Sequence, residues 1–487
     1  MSAKPATTKR YDRDDLFIGG RFVAPATKAT LDVTSPSTEE VVARVPMGSV
    51  QDVDAAVAAA RQAFDQGDWP RRTPAERAAV VRAVADALDA RSSEIAEVIT
   101  TEMGAPVAFC AADHVVIPIA ALRYYADLAE HHEFVQTRTV GRGSSQVWHE
   151  PLGVVAAIVP WNAPLRSIMN KLAPALVAGC SIIVKAAPET PLDGYLLAEA
   201  LQAAGVPDGV VSIVAGDAEV GDHLVGHPGI DKVVFTGSTR AGKAIMARCS
   251  ERLTPLTLEL GGKSAAIVLD DADFDWSIKR LVPMAIGNTG QSCMAQTRML
   301  VSADRHDEFV EKFAAAMAKW PVGDPWQPET LVGPLVSARQ RDRVLGYLDI
   351  ATSEGARVAV GGGRPAGLTT GYYVEPTVFT GVTSDMRIAR EEVFGPVVVV
   401  QAYRDLDDAV RIANDSEYGL AGSVWTADQE VGLAVAGRVR VGGFRVNGAA
   451  QALDAPFGGV KSSGFGREYG PEGLMSFLNV KAVAARF

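Results

Sequence analysis

GVVAAIVPWNAPLRSIMNKLAPALVAGCSIIVKAA, residues 153–187, sets two apolar runs of strand length on either side of an amphipathic stretch of helix length. Both runs are rich in valine and isoleucine and neither alternates with polar residues. That is the pattern of strands covered on both faces of a parallel sheet. The rhythm continues through LDGYLLAEALQAA, GVVSIVAG and KVVFTGS, which predicts consecutive βαβ units and a doubly wound, nucleotide-binding layout.

A second α/β series starts near residue 264. SAAIVLD and RMLVS read as strands, FDWSIKRLVPMAIG and DRHDEFVEKFAAAMAKW as helices, and DPWQP (324–328) and GGGR (361–364) as loops. Upstream, TPAERAAVVRAVADALDARSSEIAEVIT (73–100) reads as one packing helix, with Val80, Val81, Val84, Ala87 and Leu88 at three-to-four spacing. Thr73 and Glu76 form an S/T-x-x-E capping box there, with Pro74 at the first helical position. RTVGRGSSQVWHE (138–150) interrupts the first series as an excursion hairpin would, and no internal repeat is evident.

The 487 residues are enough for two or three folding units. A formal charge of −11 disfavours phosphate backbones and so argues against a nucleic-acid partner. The N-terminal MSAKPATTKRYDRDDLF has no apolar export core and no run of about 18 apolar residues occurs, so a soluble, cytoplasmic protein with no membrane partner is expected. Cysteines 110, 180, 249 and 293 show no C-x-x-C or metal-like spacing and fit a reducing compartment. The only adjacent histidines, His131 and His132, sit on a segment that reads as a solvated face, so no metal site is expected.

Four stretches place unusual side chains where a strand ends. VPWNAPL (159–165) displays Trp161 and Asn162 from a rigid turn between two prolines; the Asn162 amide can serve a developing oxyanion or simply form the turn. FTGSTRAG (235–242) is a glycine-spaced turn that opens a helix, suited to a phosphate through Gly237 and Gly242, although a tight βα turn needs no ligand. In LELGGKS (258–264) Glu259 ends an apolar strand, where burial would raise its pKa toward that of a general base unless Lys263 pairs with it. GNTGQSCMAQTR (287–298) sets Cys293 in a helix-breaking loop whose backbone N–H groups and exposure should lower a thiol pKa; the alternative is an inert thiol.

Together these stretches supply an oxyanion donor, a carboxylate base, a loop cysteine and a phosphate-type turn, a complete set for oxidising an aldehyde through a thioester. The chain resembles the aldehyde dehydrogenase superfamily over nearly its whole length. PWN (160–162), FTGST (235–239), ELGGKS (259–264), GQSC (290–293), EEVFGPV (391–397) and PFGGVKSSGFGRE (456–468) follow in that family's order. The resemblance implies that Cys293 is the nucleophile, that Asn162 and the Cys293 N–H hold the oxyanion, and that Glu259 activates the water that cleaves the thioester. It implies a Rossmann-type cofactor domain (1–127 and 150–259), an α/β catalytic domain (260–469) and a small oligomerisation extension (128–149 and 470–487) adding strands across a homodimer or homotetramer interface.

By the same resemblance Trp161 and Ser238 meet a pyrophosphate, Lys185 the adenosine ribose, and Glu392 with Phe394 the nicotinamide riboside. Ile158, Pro160, Gly237, Gly242 and Leu260 complete the cofactor set. NAD is the expected acceptor. NADP stays open because Pro188 stands where relatives often carry a ribose-gripping glutamate, with Glu189 one position later as a substitute. Ala163 replaces a phenylalanine that commonly narrows the aldehyde tunnel. Arg166, Ser167 and Asn170, with Ser292 and Met294, are expected to line that tunnel, and NGAAQALDAPFGG (447–459) is made largely of small residues. A wide, partly polar entrance suits bulky aromatic or branched aldehydes. Arg166 reads as a solvated arginine at the mouth, or else as a carboxylate ligand. Rival readings are a cysteine hydrolase or acyl-transferase, a non-catalytic NAD-binding scaffold, and a CoA-acylating dehydrogenase, against which Glu259 favours water as the acyl acceptor.

Overall fold

The structure, a computed structural model, describes residues 11–484. Part of the N-terminal segment read for export signals (1–10) and the last three residues of the C-terminal extension lie outside the described residues.

The opening stretch folds as its pattern predicts. Val154–Ile158 and Ser181–Ala186 are neighbouring parallel strands, every residue of both buried, with the helix Pro164–Ala178 between them in sequence. They sit inside an eight-stranded sheet ordered Gly464–Phe465, Leu256–Glu259, Lys232–Thr236, Val154–Ile158, Ser181–Ala186, Val211–Ala215, Leu16–Ile18 and Arg21–Val23. The five central strands are parallel. From Val154–Ile158 the chain winds outward in one direction to Val211–Ala215, then returns to lay Lys232–Thr236 on the other side. The order therefore reverses between Val154–Ile158 and Lys232–Thr236, and a crevice opens outside their carboxyl ends, where ligands of such sheets bind.

The second sheet has seven strands, with Ala265–Val268, Arg298–Ser302, Val397–Tyr403 and Ala421–Trp425 parallel at its centre. Leu256–Glu259 ends the wound part of the first sheet and runs through only Leu260–Ser264 into Ala265–Val268. The carboxyl ends of the first sheet thus abut the amino ends of the second, and the Cys293 loop, which precedes Arg298–Ser302, falls on that seam.

The hairpin is present as Val135–Val140 and Gly143–Pro151. The C-terminal strand Leu478–Ala484 pairs antiparallel with Gly143–Pro151 of its own chain, so these two parts of the extension join in cis. The Thr73 capping box forms on the helix Pro74–Asp89, Thr73 N–H donating to Glu76 at 2.7 Å. The stretch read as one helix is two, because the chain leaves helical geometry at Arg91 (φ −115°, ψ 16°) before Ser92–Met103. The stretch Val107–His131 is long and apolar enough in composition to cross a membrane. Ile119, Leu122, Tyr125 and Ala126 within it are nonetheless fully packed into the same core as Val84 and Leu88 of Pro74–Asp89 and Leu172 of Pro164–Ala178. Its first part is wound as a π-turn, Cys110–Val115, which carries Asp113.

Candidate active site

Glycine sequence explains how the seam closes. A Cβ on Gly262 would stand 2.4 Å from the Cys293 carbonyl oxygen, and one on Gly261 2.5 Å from a Glu392 carboxylate oxygen. At Gly262 the clash is with backbone, so only glycine there lets the strand-end loop and the cysteine loop meet, whereas at Gly261 a side chain would have to displace the Glu392 carboxylate. Gly262→Ala is therefore expected to displace Cys293 and lower kcat by about 100-fold, since a misplacement of about 1 Å in a reacting group costs that much. Activity that is unchanged while the far-UV circular dichroism is also unchanged would contradict this packing argument.

The cysteine loop leaves its helix at Ile286 and passes through three left-handed residues, Asn288 (φ 56°), Thr289 (φ 57°) and Gly290 (φ 69°). A left-handed β-branched Thr289 is held against its preference; its hydroxyl donates to the Gly333 carbonyl at 3.2 Å. Asn288 Nδ2 donates to the carbonyls of Asn162 (2.8 Å) and Gln291 (3.2 Å), and Asn162 Nδ2 donates to the Gln291 carbonyl at 2.9 Å. This fixes the Asn162 amide two residues from Cys293 with one of its two N–H bonds uncommitted.

Cys293 is half-buried, whereas Cys110, Cys180 and Cys249 are buried. Its environment reverses the sequence expectation of a lowered pKa. Burial, then the carboxylates of Glu392 and Glu259, push the thiol up to about 12, with Arg166 opposing them. The loop geometry was foreseen from the sequence; the acids that the fold gathers around the sulfur were not.

Glu259 is buried and neither carboxylate oxygen has a hydrogen-bond partner among the described residues. Burial and the neighbouring Glu468 hold its pKa well above the usual carboxylate range, against Lys171 and Arg467. The suggested pairing with Lys263 does not form. Lys263 lies instead near Arg298, Glu392 and Glu391, with its pKa lowered to about 7 by burial and Arg298. An unpaired, proton-retaining acid beside a loop cysteine and a free amide N–H is equipped for acyl chemistry with a base waiting for water.

The family model described as "Aldehyde dehydrogenase family" matches residues 22–483. The chain belongs to the aldehyde dehydrogenase family. It is 46% identical to a geranial dehydrogenase of Castellaniella defragrans, the match covering 97% of this chain and 98% of that one. A 3-succinoylsemialdehyde-pyridine dehydrogenase of a Pseudomonas species is 42% identical with the same coverage, 97% and 98%. A solved Mycobacterium tuberculosis aldehyde dehydrogenase, described as complexed with NAD+, superposes with a TM-score of 0.97 at 45% identity over 98% of this chain and 99% of that one.

In this aldehyde dehydrogenase the residues expected to meet cofactor gather at the crevice. Ile158 ends its strand, Pro160 and Trp161 form the turn beyond it, and Trp161 packs edge-on to Phe394 with ring centroids 5.4 Å apart. Phe394 is itself left-handed (φ 64°). Ser238 caps the helix Thr239–Ser250, accepting from the Ala241 N–H at 3.3 Å, and the Gly237 N–H donates to the Glu259 carbonyl at 3.0 Å. Gly242 serves packing, since a Cβ there would stand 2.6 Å from Leu260. Glu392 accepts from the Gly262 N–H at 3.0 Å, and burial raises its pKa to about 7. Lys185 is buried, its ammonium without a hydrogen bond among the described residues, and burial lowers its pKa against the pull of Glu189 and Asp217. Glu189 is already taken by Arg339 at 3.1 Å.

The tunnel set needs correction. Arg166 is not a solvated arginine: its Nη1 donates to both Asp113 oxygens at 3.0 and 2.9 Å, and its Nε to the Tyr469 hydroxyl at 3.4 Å. Asn170 turns to Glu468, its Nδ2 donating at 2.8 Å, and Ser167 is buried with its carbonyl accepting from Lys171 at 3.3 Å. Ala163, Ser292 and Met294 are half-buried.

Sequence reading missed Lys171, Glu468 and Asp113. Fully buried Lys171 donates to Thr236 and to Glu468, each at 2.7 Å, directly behind Glu259. A lysine inside the apolar helical run IMNKLAPALVA was the available signal, because a charge at such a place must be paired.

Proposed function

We propose that this aldehyde dehydrogenase converts an aldehyde, NAD+ and water into a carboxylate, NADH and two protons by way of a thioester on Cys293. The observation that carries the proposal is the unpartnered, buried Glu259 carboxyl set beside the half-buried Cys293 thiol and the uncommitted Asn162 N–H.

The residues of the crevice fit a dinucleotide. Lys185 offers a buried ammonium without a hydrogen bond among the described residues, Ser238 opens a twelve-residue helix whose N-terminus favours phosphate, and Trp161 with Phe394 supplies aromatic walls. NAD supplies, when bound, the acceptor for the hydride that the aldehyde must lose. The eight-stranded half of the molecule is thus read as cofactor-binding and the seven-stranded half as carrying the nucleophile. NAD is preferred to NADP on the likeness to the NAD+-complexed Mycobacterium tuberculosis enzyme.

The protein's own groups divide the work. The Cys293 thiol releases its proton to solvent as Sγ adds to the carbonyl carbon, and the Asn162 amide and the Cys293 N–H hold the oxygen that takes the C=O electron pair. The C–H bond then breaks with loss of hydride as the carbonyl re-forms in the thioester. Glu259 takes a proton from the water that attacks the thioester, and Lys171 with Glu468 positions charge behind it.

Bulky aldehydes are the proposed substrates. The support is Ala163 at the mouth of the site and the names of two relatives, one for geranial, a branched aldehyde, and one for an aldehyde bearing a pyridine. Growth of the reduced-nicotinamide absorbance with benzaldehyde and with a branched terpenoid aldehyde, faster with NAD than with NADP, is the expected result. No growth with any aldehyde would overturn the reading. Ala163→Phe should raise KM for the bulky aldehydes about tenfold more than for propanal, in line with the cost of a misfitted apolar pocket; equal effects on both would remove the wide-entrance argument.

A further inference from the structure

Arg445 is half-buried on the strand Gly443–Val446, and no carboxylate or carbonyl among the described residues hydrogen-bonds to it. Its neighbours Phe444 and Val446 pack into the apolar cluster of Ile267, Val424 and Val435, which sends Arg445 to the opposite face of the sheet. In the parallel register Arg445 stands beside Ser423, and Ser423 Oγ donates to Gln296, three residues beyond Cys293. The face that carries Arg445 is therefore the face against which the cysteine loop is fastened.

A second guanidinium lies within electrostatic reach. Burial, and then the charge of Arg166, lower the pKa of Arg445. Arg166 is also among the charges that act on the Cys293 thiol. Arg166 is neutralised by Asp113 and held by Tyr469, which packs on Phe457 at the start of the segment closing over Glu259. His114, next to Asp113, is buried with its pKa lowered chiefly by burial and adds no second anion. Two arginines and one aspartate leave one positive charge uncompensated in a partly desolvated place, a costly arrangement for the free protein and a favourable one for an anion.

We infer that Arg445 is a substrate-recognition residue that selects aldehydes carrying a carboxylate at the end remote from the carbonyl, with the Asp113-paired Arg166 as the fixed wall beside it. The inference rests on the dehydrogenase reading above and narrows its substrate class. Arg166, already paired, cannot give a carboxylate the two parallel N–H bonds that unpaired Arg445 can.

The test compares shape-matched aldehydes by reduced-nicotinamide absorbance: 4-formylbenzoate against benzaldehyde, and 6-oxohexanoate against hexanal. In the unsubstituted protein kcat/KM is expected to favour the carboxylate member, and in Arg445→Gln that ratio should fall by about tenfold or more, the usual loss when a hydrogen bond to a charged group is removed. Arg445→Lys should keep part of the preference, having charge without the fork. A ratio identical in unsubstituted protein and Arg445→Gln, or no preference for the carboxylate member at all, overturns the inference. Should Arg445→Gln fail to fold, the unsubstituted protein still decides: raising salt should increase KM for 4-formylbenzoate and not for benzaldehyde, and equal responses overturn the claim. Oxidation of neither member of a pair would instead overturn the dehydrogenase reading.

Discussion

Cys293→Ala is expected to reduce aldehyde-dependent NADH formation by about 10⁴-fold or more, the scale on which enzymes lose rate when a covalent nucleophile is removed. NAD binding, followed by quenching of intrinsic fluorescence, should persist, because Trp161, Lys185 and Ser238 are untouched. The reason for so large an effect is that the other three cysteines are buried, so none can stand in. Burial, Glu392 and Glu259 leave the thiol protonated at neutral pH, its pKa about 12. Alkylation by iodoacetamide should accordingly quicken with pH across the neutral range without levelling off. A variant that retains even a tenth of the activity would show that the sulfur is not covalent in the reaction.

Glu259→Gln should separate the two halves of the reaction. The first turnover, which needs Cys293 and Asn162, is expected to survive as a burst of NADH close to one per site, while the steady rate falls by about 10²–10⁴-fold, the usual contribution of a general base. The pH dependence follows from the raised carboxyl of Glu259. Only its anion can take a proton from water, and the anion is present above its raised pKa; hydrolysis should therefore fail as pH is lowered through a range well above that of an ordinary glutamate, and the variant should lose that step in its profile. A steady rate equal to the burst rate would mean that another group, or another acyl acceptor, completes the cycle.

Much of this was legible in the sequence because it is local. Unalternated valine and isoleucine runs marked the buried parallel strands, and Thr73 and Glu76 marked a helix start. The helix-breaking GNTG gave the cysteine its loop. What escaped was set by pairs far apart in the chain. Asp113 meets Arg166 only through the π-turn in a helix that composition alone does not mark, and Glu468 reaches Lys171 only after the C-terminal segment crosses back to the first sheet. The thiol pKa failed for the same reason: a loop's own N–H groups can be read from its residues, whereas the carboxylates that gather around it are contributed by Glu259 and Glu392, 34 and 99 residues away (293 − 259 and 392 − 293).

The reaction hinges on an acyl group carried by Cys293, and peptide mass mapping of Glu259→Gln, mixed with benzaldehyde and NAD and quenched in acid, tests for it most directly. A benzoyl group on the peptide containing Cys293, present with NAD and absent without it, is the predicted result. An unmodified Cys293 peptide at the end of the NADH burst, or benzoyl found on another residue, would contradict the central claim.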